Sequence, residues 1–444
     1  MSMWLCYILP IHSISGQHLA TPFWYNAALT LIKPLYQSRI RKRAESPEQL
    51  QQELLERFGP FQIPKNKHAI WFHVVSVGET NAAQPLIEYY LKSGHPVLVT
   101  NTTKTGQARA KSLFLKEPYL NLFQAVYLPA DQKHLIRDFY QKYQPKLLLL
   151  METELWPNLI DQAKNYKVPC LLLNARLSEK SAQGYGKVKG LTCGMLNAMQ
   201  QLLAQDLATQ QRYIDLGIET KKTQVLGNIK FDITAPQQFI ERASELKREW
   251  NLSGRKIITL ASTHAPEEQQ LMAELKAALD TDPNLLCIVV PRHPERFDEV
   301  FQVAQALNLT TQRRSLEQKI EADTQIYLAD SMGEMWLWYA LSQVCYVGGS
   351  LNEPGGGHNI LEPIALNVPT ILGKNYFNFQ TIVDEFLEAQ AVEVVENVQQ
   401  AATTLLKILN DSSKAESLNT AAQEIMQQNQ GSLAKHIAVI DQYL

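Results

Sequence analysis

The sequence predicts an α/β protein made of two doubly wound domains. The chain has 444 residues, roughly three times a typical single-domain length, so two Rossmann-sized halves are expected. From residue 69 onward, short apolar or β-branched runs alternate with longer helical patterns, the mark of βαβ units and a parallel sheet. That rhythm breaks once, near the middle of the chain, and then restarts.

Residues 1–45 precede the alternation. The opening MSMWLCYILPI has no basic start and no small-residue cleavage site, so it does not read as a secretory signal. The stretch from Pro22 to Pro34 is apolar but is interrupted by Lys33 and Pro34, well short of the ~20 residues that span a bilayer. Lys33, Arg39, Arg41, Lys42 and Arg43 follow within KPLYQSRIRKR. One reading is an ordinary first helix packed on its own domain with a solvated basic end. The other is an interfacial helix over residues 22–43 that lies on an anionic membrane, favoured by the Phe23, Trp24, Tyr25 cluster beside the basic run.

In the first domain, residues 46–227, strands are expected at Ala69 to Val75, Val97 to Thr100, Ala125 to Leu128, Leu147 to Met151, Cys170 to Asn174 and Gln201 to Ala204. Residues 228–254, with TAPQQF and ELKREW, read as a linker. The second domain, residues 255–444, restarts with Ile257 to Ala261, Leu285 to Val290, Gln325 to Leu328, Val344 to Val347 and Pro369 to Leu372. The helical tail after Glu396 is assigned to it. Two such domains are expected to face a central cleft, with ligands bound outside the carboxyl ends of the strands.

Composition bounds the function. Hydrophobic residues at 45% and charged residues at 19% argue against disorder and against an integral membrane bundle, and a net charge of -2 gives no drive toward nucleic acid. Cys6, Cys170, Cys193, Cys287 and Cys345 lie in apolar surroundings without metal-ligand spacing, so buried thiols in a reducing compartment are expected and no metal site is indicated.

The residues that could carry chemistry follow the strands. After the first, SVGET sets Glu79 in the first turn of a helix, where the helix N-terminus favours an ionised carboxylate able to take a proton; Ser76 and Glu79 also fit a plain capping box. After the fourth, METELWPN supplies Glu152 and Glu154. In the second half, ASTHAPEEQ puts Ser262, Thr263 and His264 at an expected helix start suited to phosphate, and VPRHPERF adds Arg292, His293 and Arg296, a cationic group suited to phosphate or carboxylate. VGGSLNEPGGGHNILEP carries Gly348, Gly349, Gly355, Gly356 and Gly357 before a helix with Glu362, which could accept from ribose hydroxyls; its spacing matches neither the dinucleotide fingerprint nor the P-loop. ADSMGEM opens another helix with Ser331, Met332, Gly333 and Glu334.

In this order SVGE, ETELWPN, LLLNARLS, LGNIKFD, STH, VPRHPERF, DSMGEM and GGHNILEP resemble the Kdo (3-deoxy-octulosonic acid) transferase family over roughly residues 23–440. The resemblance implies a GT-B glycosyltransferase on the cytoplasmic face of the inner membrane. CMP-Kdo is the implied donor, a lipid A precursor (lipid IVA) the acceptor, and neither metal nor other cofactor is expected. Carried over by motif, Glu79 is the implied general base and Glu154 a second essential carboxylate. Arg292, His293, Ser331, Met332, Gly333, Asn359 and Glu362 fall where the family binds CMP, with Ser262, Thr263, Gly356 and Gly357 beside them. Departures are residues 1 to about 20, which extend past the usual start, Ala265 and Pro266 in place of an acidic-glycine pair, and residues 352–355. Two alternatives stay open: a different two-domain sugar-nucleotide enzyme, such as a UDP-sugar transferase or epimerase, and a membrane-bound sugar-nucleotide sensor without turnover.

Overall fold

The computed structural model describes residues 21–444; the N-terminal extension and Cys6 lie outside the described residues. The chain forms two compact units, one of residues up to Asp232 together with Asn429–Leu444, the other of Ile233–Gln428.

In the first unit the strands are β1 (Ile70–His73), β2 (Val97–Asn101), β3 (Phe123–Tyr127), β4 (Leu147–Met151), β5 (Cys170–Ala175), β6 (Gln201–Ala204) and β7 (Thr223–Val225). They make one parallel sheet in the order β3-β2-β1-β4-β5-β6-β7. Every residue of β1, β2, β4 and β5 is buried, which is why these strands read as continuous apolar runs. Alternate side chains feed two cores: Trp71, Leu148 and Leu150 on one face, Ile70, Phe72 and Leu149 on the other. Helix Val77–Lys92 starts where Ser76 accepts the Glu79 amide, and buries Ala83, Leu86, Ile87 and Tyr90 along one stripe.

The second unit repeats the plan with β8 (Lys256–Thr263), β9 (Leu285–Pro291), β10 (Thr311–Arg313), β11 (Ile326–Leu328), β12 (Val344–Val347), β13 (Thr370–Gly373) and β14 (Glu393–Val395). These too are parallel, ordered β10-β11-β9-β8-β12-β13-β14.

The expected strands are present to within a residue or two, but β7, β10 and β14 were not foreseen. All three are three-residue strands that are partly exposed at the sheet edges, so no apolar run announces them. The expected 228–254 linker also differs. Helix Gln237–Glu249 buries Ala243 and Leu246 in the core of the second unit, because they meet Leu337 and Trp338 there. Of the helical tail expected on the second domain, the part up to Gln428 packs there, with Ala401, Leu405, Ile408 and Leu418 in its core, while Asn429–Leu444 return to the first unit. Val439 and Ile440 complete the core beneath β1 and β4, Ser432 donates to the Leu226 carbonyl at 2.7 Å, and Tyr90 donates to Asp441 at 2.9 Å. Of the expected buried thiols, Cys170, Cys287 and Cys345 are buried, whereas Cys193 is half-buried and donates to the Gly217 carbonyl at 3.4 Å.

Helix Phe23–Arg43 packs on the first unit. Tyr25 donates to Asp131 at 2.8 Å, Tyr36 meets Phe58 edge-on, and Arg43 pairs with Glu53. Its outward arc is different. Phe23, Leu31 and Leu35 are 87%, 79% and 72% exposed, and the exposed Arg39, Arg41 and Lys42 continue the same side toward its end. Among the described residues, no helix is long and apolar enough to cross a membrane.

Candidate active site

In the first unit, β1 and β4 are neighbours at the point where the strand order reverses, and this places loops separated by about eighty residues side by side. Glu79 stands at the head of the helix after β1. Its carboxylate accepts the Val75 amide at 2.8 Å and the Ser76 hydroxyl at 3.2 Å, so the capping reading and the site reading describe one side chain. The expectation that the helix N-terminus would hold Glu79 ionised is reversed. Burial, then Glu154, then Glu152 raise its pKa well above the ordinary carboxylate value, and the Val75 and Ser76 hydrogen bonds oppose this without overcoming it.

The two carboxylates after β4 have separate partners, because the strand ends at Met151 and Glu152 turns with φ 58. Glu152 pairs with Lys230 at 2.6 Å. Glu154 accepts the Trp156 indole at 2.7 Å and lies 3.7 Å from Nε2 of His73. The sequence reading passed over His73 and Lys230. His73 ends a strand three residues before SVGE, and Lys230 sits inside LGNIKFD, so position relative to a motif was the available signal.

In the second unit, β8 has β9 on one side and β12 on the other, which gathers the loops after all three. Ser262 and Thr263 are not at a helix start. They end β8, since Thr263 pairs with Pro291 of β9, and helix Glu267–Thr281 begins only after Pro266. Thr263 is fully buried, and its carbonyl accepts the Arg292 amide at 3.0 Å. Arg292 and His293 are exposed, whereas Arg296 is committed to Glu268 and Glu299.

Three imidazoles meet at this point. Nε2 of His264 lies 2.8 Å from Nε2 of His358, and the His293 ring is edge-on to His264 at 4.9 Å. Burial and then Arg292 push His358 down to about 3, and burial also lowers His264. The 2.8 Å contact therefore joins two neutral rings, one donating and one accepting. His358, quoted within its motif but not singled out, is a further member of this site.

Four of the five glycine amides of the loop after β12 are already engaged. The Gly348 amide donates to Ala261, Gly349 to Glu267, Gly356 to the Asn375 carbonyl and Gly357 to the Gly349 carbonyl. Glu267 organises this. Besides Gly349 it accepts the amides of His264, Ser350 and Leu351 and the Tyr346 hydroxyl. A Cβ on Gly348 would lie 2.7 Å from the Thr263 Cα, so only glycine admits this approach.

Asn359 and Glu362 lie next along the chain. Asn359 accepts the Leu361 amide at 3.1 Å and donates to Glu362 at 3.3 Å. Glu362 is the second residue of the short helix Leu361–Ala365, rather than a full turn inside it; burial raises its pKa while Asn359 and Arg292 oppose. Ser331, Met332 and Gly333 follow β11 and precede helix Met335–Leu341, which contacts the Glu362 helix. Met332 is exposed, and the Ser331 hydroxyl is taken by Glu334, which Arg314 grips through two hydrogen bonds.

The family model for 3-deoxy-D-manno-octulosonic-acid transferase matches residues 52–233, and that for glycosyl transferases group 1 matches residues 244–425. A 3-deoxy-D-manno-octulosonic acid transferase of Haemophilus influenzae is 36% identical over 429 residues, 95% of this chain and 98% of that protein. One of Bordetella pertussis is 32% identical over 84% of this chain and 87% of its own. The crystal structure of the C-terminal CMP-Kdo binding domain of WaaA from Acinetobacter baumannii is 58% identical, covering 43% of this chain and 100% of that one with a TM-score of 0.43. A putative UDP-N-acetylglucosamine 2-epimerase from Listeria monocytogenes, 10% identical with a TM-score of 0.51 over 85% of this chain and 96% of its own, shares the fold.

Proposed function

The chain belongs to the 3-deoxy-D-manno-octulosonic-acid transferase family, and from that premise we propose how its residues divide the work of moving Kdo from CMP-Kdo to a lipid A precursor. It is a glycosyltransferase of lipopolysaccharide synthesis. The observation that carries the division is the convergence of Glu79 with Glu154 and Glu152 on one unit, while Arg292 and the His264, His293, His358 group stand on the other.

Glu79 is the general base. A carboxylate whose basicity is raised by burial takes a hydroxyl proton more readily than an exposed one, provided it is ionised. As the acceptor hydroxyl loses its proton to Glu79, its oxygen forms a bond to the Kdo anomeric carbon. The bond from that carbon to the CMP phosphate oxygen breaks, and CMP leaves with the electron pair. One displacement inverts configuration. Glu154, fixed by Trp156, holds the acceptor.

On the donor side, Arg292 supplies fixed positive charge to the phosphate, and the neutral imidazoles supply hydrogen bonds without adding a competing anion. Glu362, positioned by Asn359, accepts from ribose hydroxyls, and Ser331, Met332 and Gly333 border the nucleotide. This charge stabilisation needs no metal, so activity is expected to persist in EDTA. The exposed Phe23, Leu31, Leu35 side of the first helix, with Arg39, Arg41 and Lys42, seats the enzyme on the cytoplasmic face of the inner membrane.

The test is transfer itself. Purified protein incubated with tetra-acylated lipid A precursor and CMP-Kdo, in parallel with UDP- and GDP-sugars, is read by mass spectrometry. Product with CMP-Kdo alone supports the reading, and its mass counts the sugars added. Product only with another donor keeps the architecture and removes the Kdo assignment.

A further inference from the structure

The helix that follows Glu154, Pro157–Asn165, begins without a cap of its own: Trp156 stands at its N-cap and supplies no side-chain acceptor. Pro157 has no amide hydrogen to satisfy, but the amides of Asn158 and Leu159 need partners from elsewhere. One carboxylate accepts both, that of Asp131, at 3.1 and 2.9 Å. Asp131 lies in the segment after β3 and is only 4% exposed. A capping contact that is ordinarily local is made here across the fold.

The same carboxylate reaches a third element. It accepts the Tyr25 hydroxyl of helix Phe23–Arg43 at 2.8 Å. The next residue of that helix doubles the link: Asn26 Oδ1 accepts the Asn158 side-chain amide at 3.0 Å and the Lys133 backbone amide at 3.2 Å. Asn158 also donates to the Asp131 carbonyl. At the other end of this short path, Trp156 donates its indole N–H to Glu154 at 2.7 Å and sets its ring edge-on to His73. Helix Phe23–Arg43, Asp131, the first turn of helix Pro157–Asn165 and Glu154 are thus joined within the first unit by hydrogen bonds and adjacent residues. Asp131 and Asn158 are buried, so bulk water does not replace a partner lost there, and a displacement of one element is passed to the next.

We propose that Asp131 is a positioning residue for the acceptor carboxylate: it fixes the turn that carries Trp156 and, through Tyr25, makes the seating of helix Phe23–Arg43 a determinant of where Glu154 stands. Asp131 acts through Trp156 and not on the reacting atoms. The proposal rests on the acceptor role given to Glu154 above. It gives the first helix a task on its inward side, distinct from that of its exposed arc.

Two substitutions separate the links. The Asn158 and Leu159 amides use different oxygens of Asp131, so Asp131→Asn, which turns one oxygen into a donor, cannot serve both. Tyr25→Phe removes the hydroxyl that joins the helix to Asp131 and leaves the cap in place. The direct readout is the indole N–H resonance of Trp156 in protein carrying isotope-labelled tryptophan. It is identified among the seven tryptophans by its loss in Trp156→Phe, and calibrated with Glu154→Gln, which weakens the indole hydrogen bond. Asp131→Asn and Tyr25→Phe should both move this resonance toward its position in Glu154→Gln. Kinetics should split in the same way, with KM for the acceptor raised by about tenfold or more and KM for the donor unchanged.

A resonance unmoved in both variants overturns the proposal, as does a fall in kcat with both KM values unchanged, the mark of a smaller folded fraction. Movement in Asp131→Asn alone leaves a plain helix cap and overturns the link to the first helix. Should Asp131→Asn not fold, Tyr25→Phe decides alone. Should the parent transfer no sugar to the acceptor, the functional reading fails, while the resonance still decides the coupling.

Discussion

At Glu79 a capping role and the proposed chemical one share a carboxylate, and its environment makes both testable. Its folded pKa is raised, so the folded protein keeps a proton there at pH values where the unfolded chain has lost it. Stability from this group is present at low pH and falls as pH rises through the folded pKa. Catalysis runs the opposite way, since the base must be ionised: kcat/KM should climb with pH through that same raised value and then level. Glu79→Gln should lower kcat by about 10²–10⁴-fold without lowering the neutral-pH melting temperature, because an uncharged side chain is easier to bury there; a large fall in melting temperature would mark Glu79 as mainly structural. His73 makes a second case. Its Nδ1 lies 3.0 Å from both the carbonyl and hydroxyl oxygens of Thr100, and because a carbonyl only accepts, the proton sits on Nδ1. Nε2 lies 3.7 Å from the Glu154 carboxylate and has no hydrogen-bond partner among the described residues. A proton or an acceptor hydroxyl between the two would satisfy both. His73→Phe should therefore reduce kcat by roughly tenfold or more, within the range of a single polar contact at the reacting site, with donor KM unchanged; an unaltered kcat would reduce His73 to packing.

Elements hold these residues by spending polar groups on one another. The loop after β12 is tied down by Glu267, whose carboxylate takes four backbone amides and the Tyr346 hydroxyl. Glu267→Ala leaves those buried donors unpaired at about 1–3 kcal/mol each before relaxation. The second unit should lose at least ~3 kcal/mol, visible as an earlier calorimetric transition. Donor affinity should fall with it, because the loop that Glu267 ties down carries His358, Asn359 and Glu362 into the site. The helix over residues 23–43 makes a similar division between faces. Leu31→Glu with Leu35→Glu alters only the outward side. Co-sedimentation with anionic liposomes should drop sharply while transfer to a detergent-dispersed acceptor is kept; sedimentation equal to the parent would leave that helix a packing element alone.

Across the whole molecule, the chain leaves the first unit at Asp232 and re-enters it at Asn429. The return is structural, not decorative. Val439 and Ile440 close the core, the Asn174 amide donates to His436 at 3.2 Å, and the Leu433 amide donates to Asp232 at 2.8 Å. A chain ended at Gln428 should keep a folded, protease-resistant second unit and expose the first, seen as loss of one of two thermal transitions. Two unchanged transitions would mean the tail contributes little.

The sequence by itself determined the architecture and the loops that carry the candidate residues. Fully buried parallel strands must be apolar at nearly every position, so β1, β4, β8, β9 and β12 were legible, and a parallel sheet puts its ligand loops at the carboxyl ends of such strands. The motifs there supplied Glu79, Glu154, Arg292 and Glu362 as candidates. Partially exposed edge strands carry no such signal, which hid β7, β10 and β14. Only tertiary structure decided the rest. Strand order, not sequence distance, brought Glu79 to Glu154, and with that proximity came the raised pKa that the local helix rule had put the other way. It returned Asn429–Leu444 to the first unit, engaged the glycine amides with Ala261, Glu267, Asn375 and Gly349, and aimed His73 at Glu154 and His358 at His264. Each is a matter of which groups, remote along the chain, exclude water from one another, and a linear pattern does not encode that.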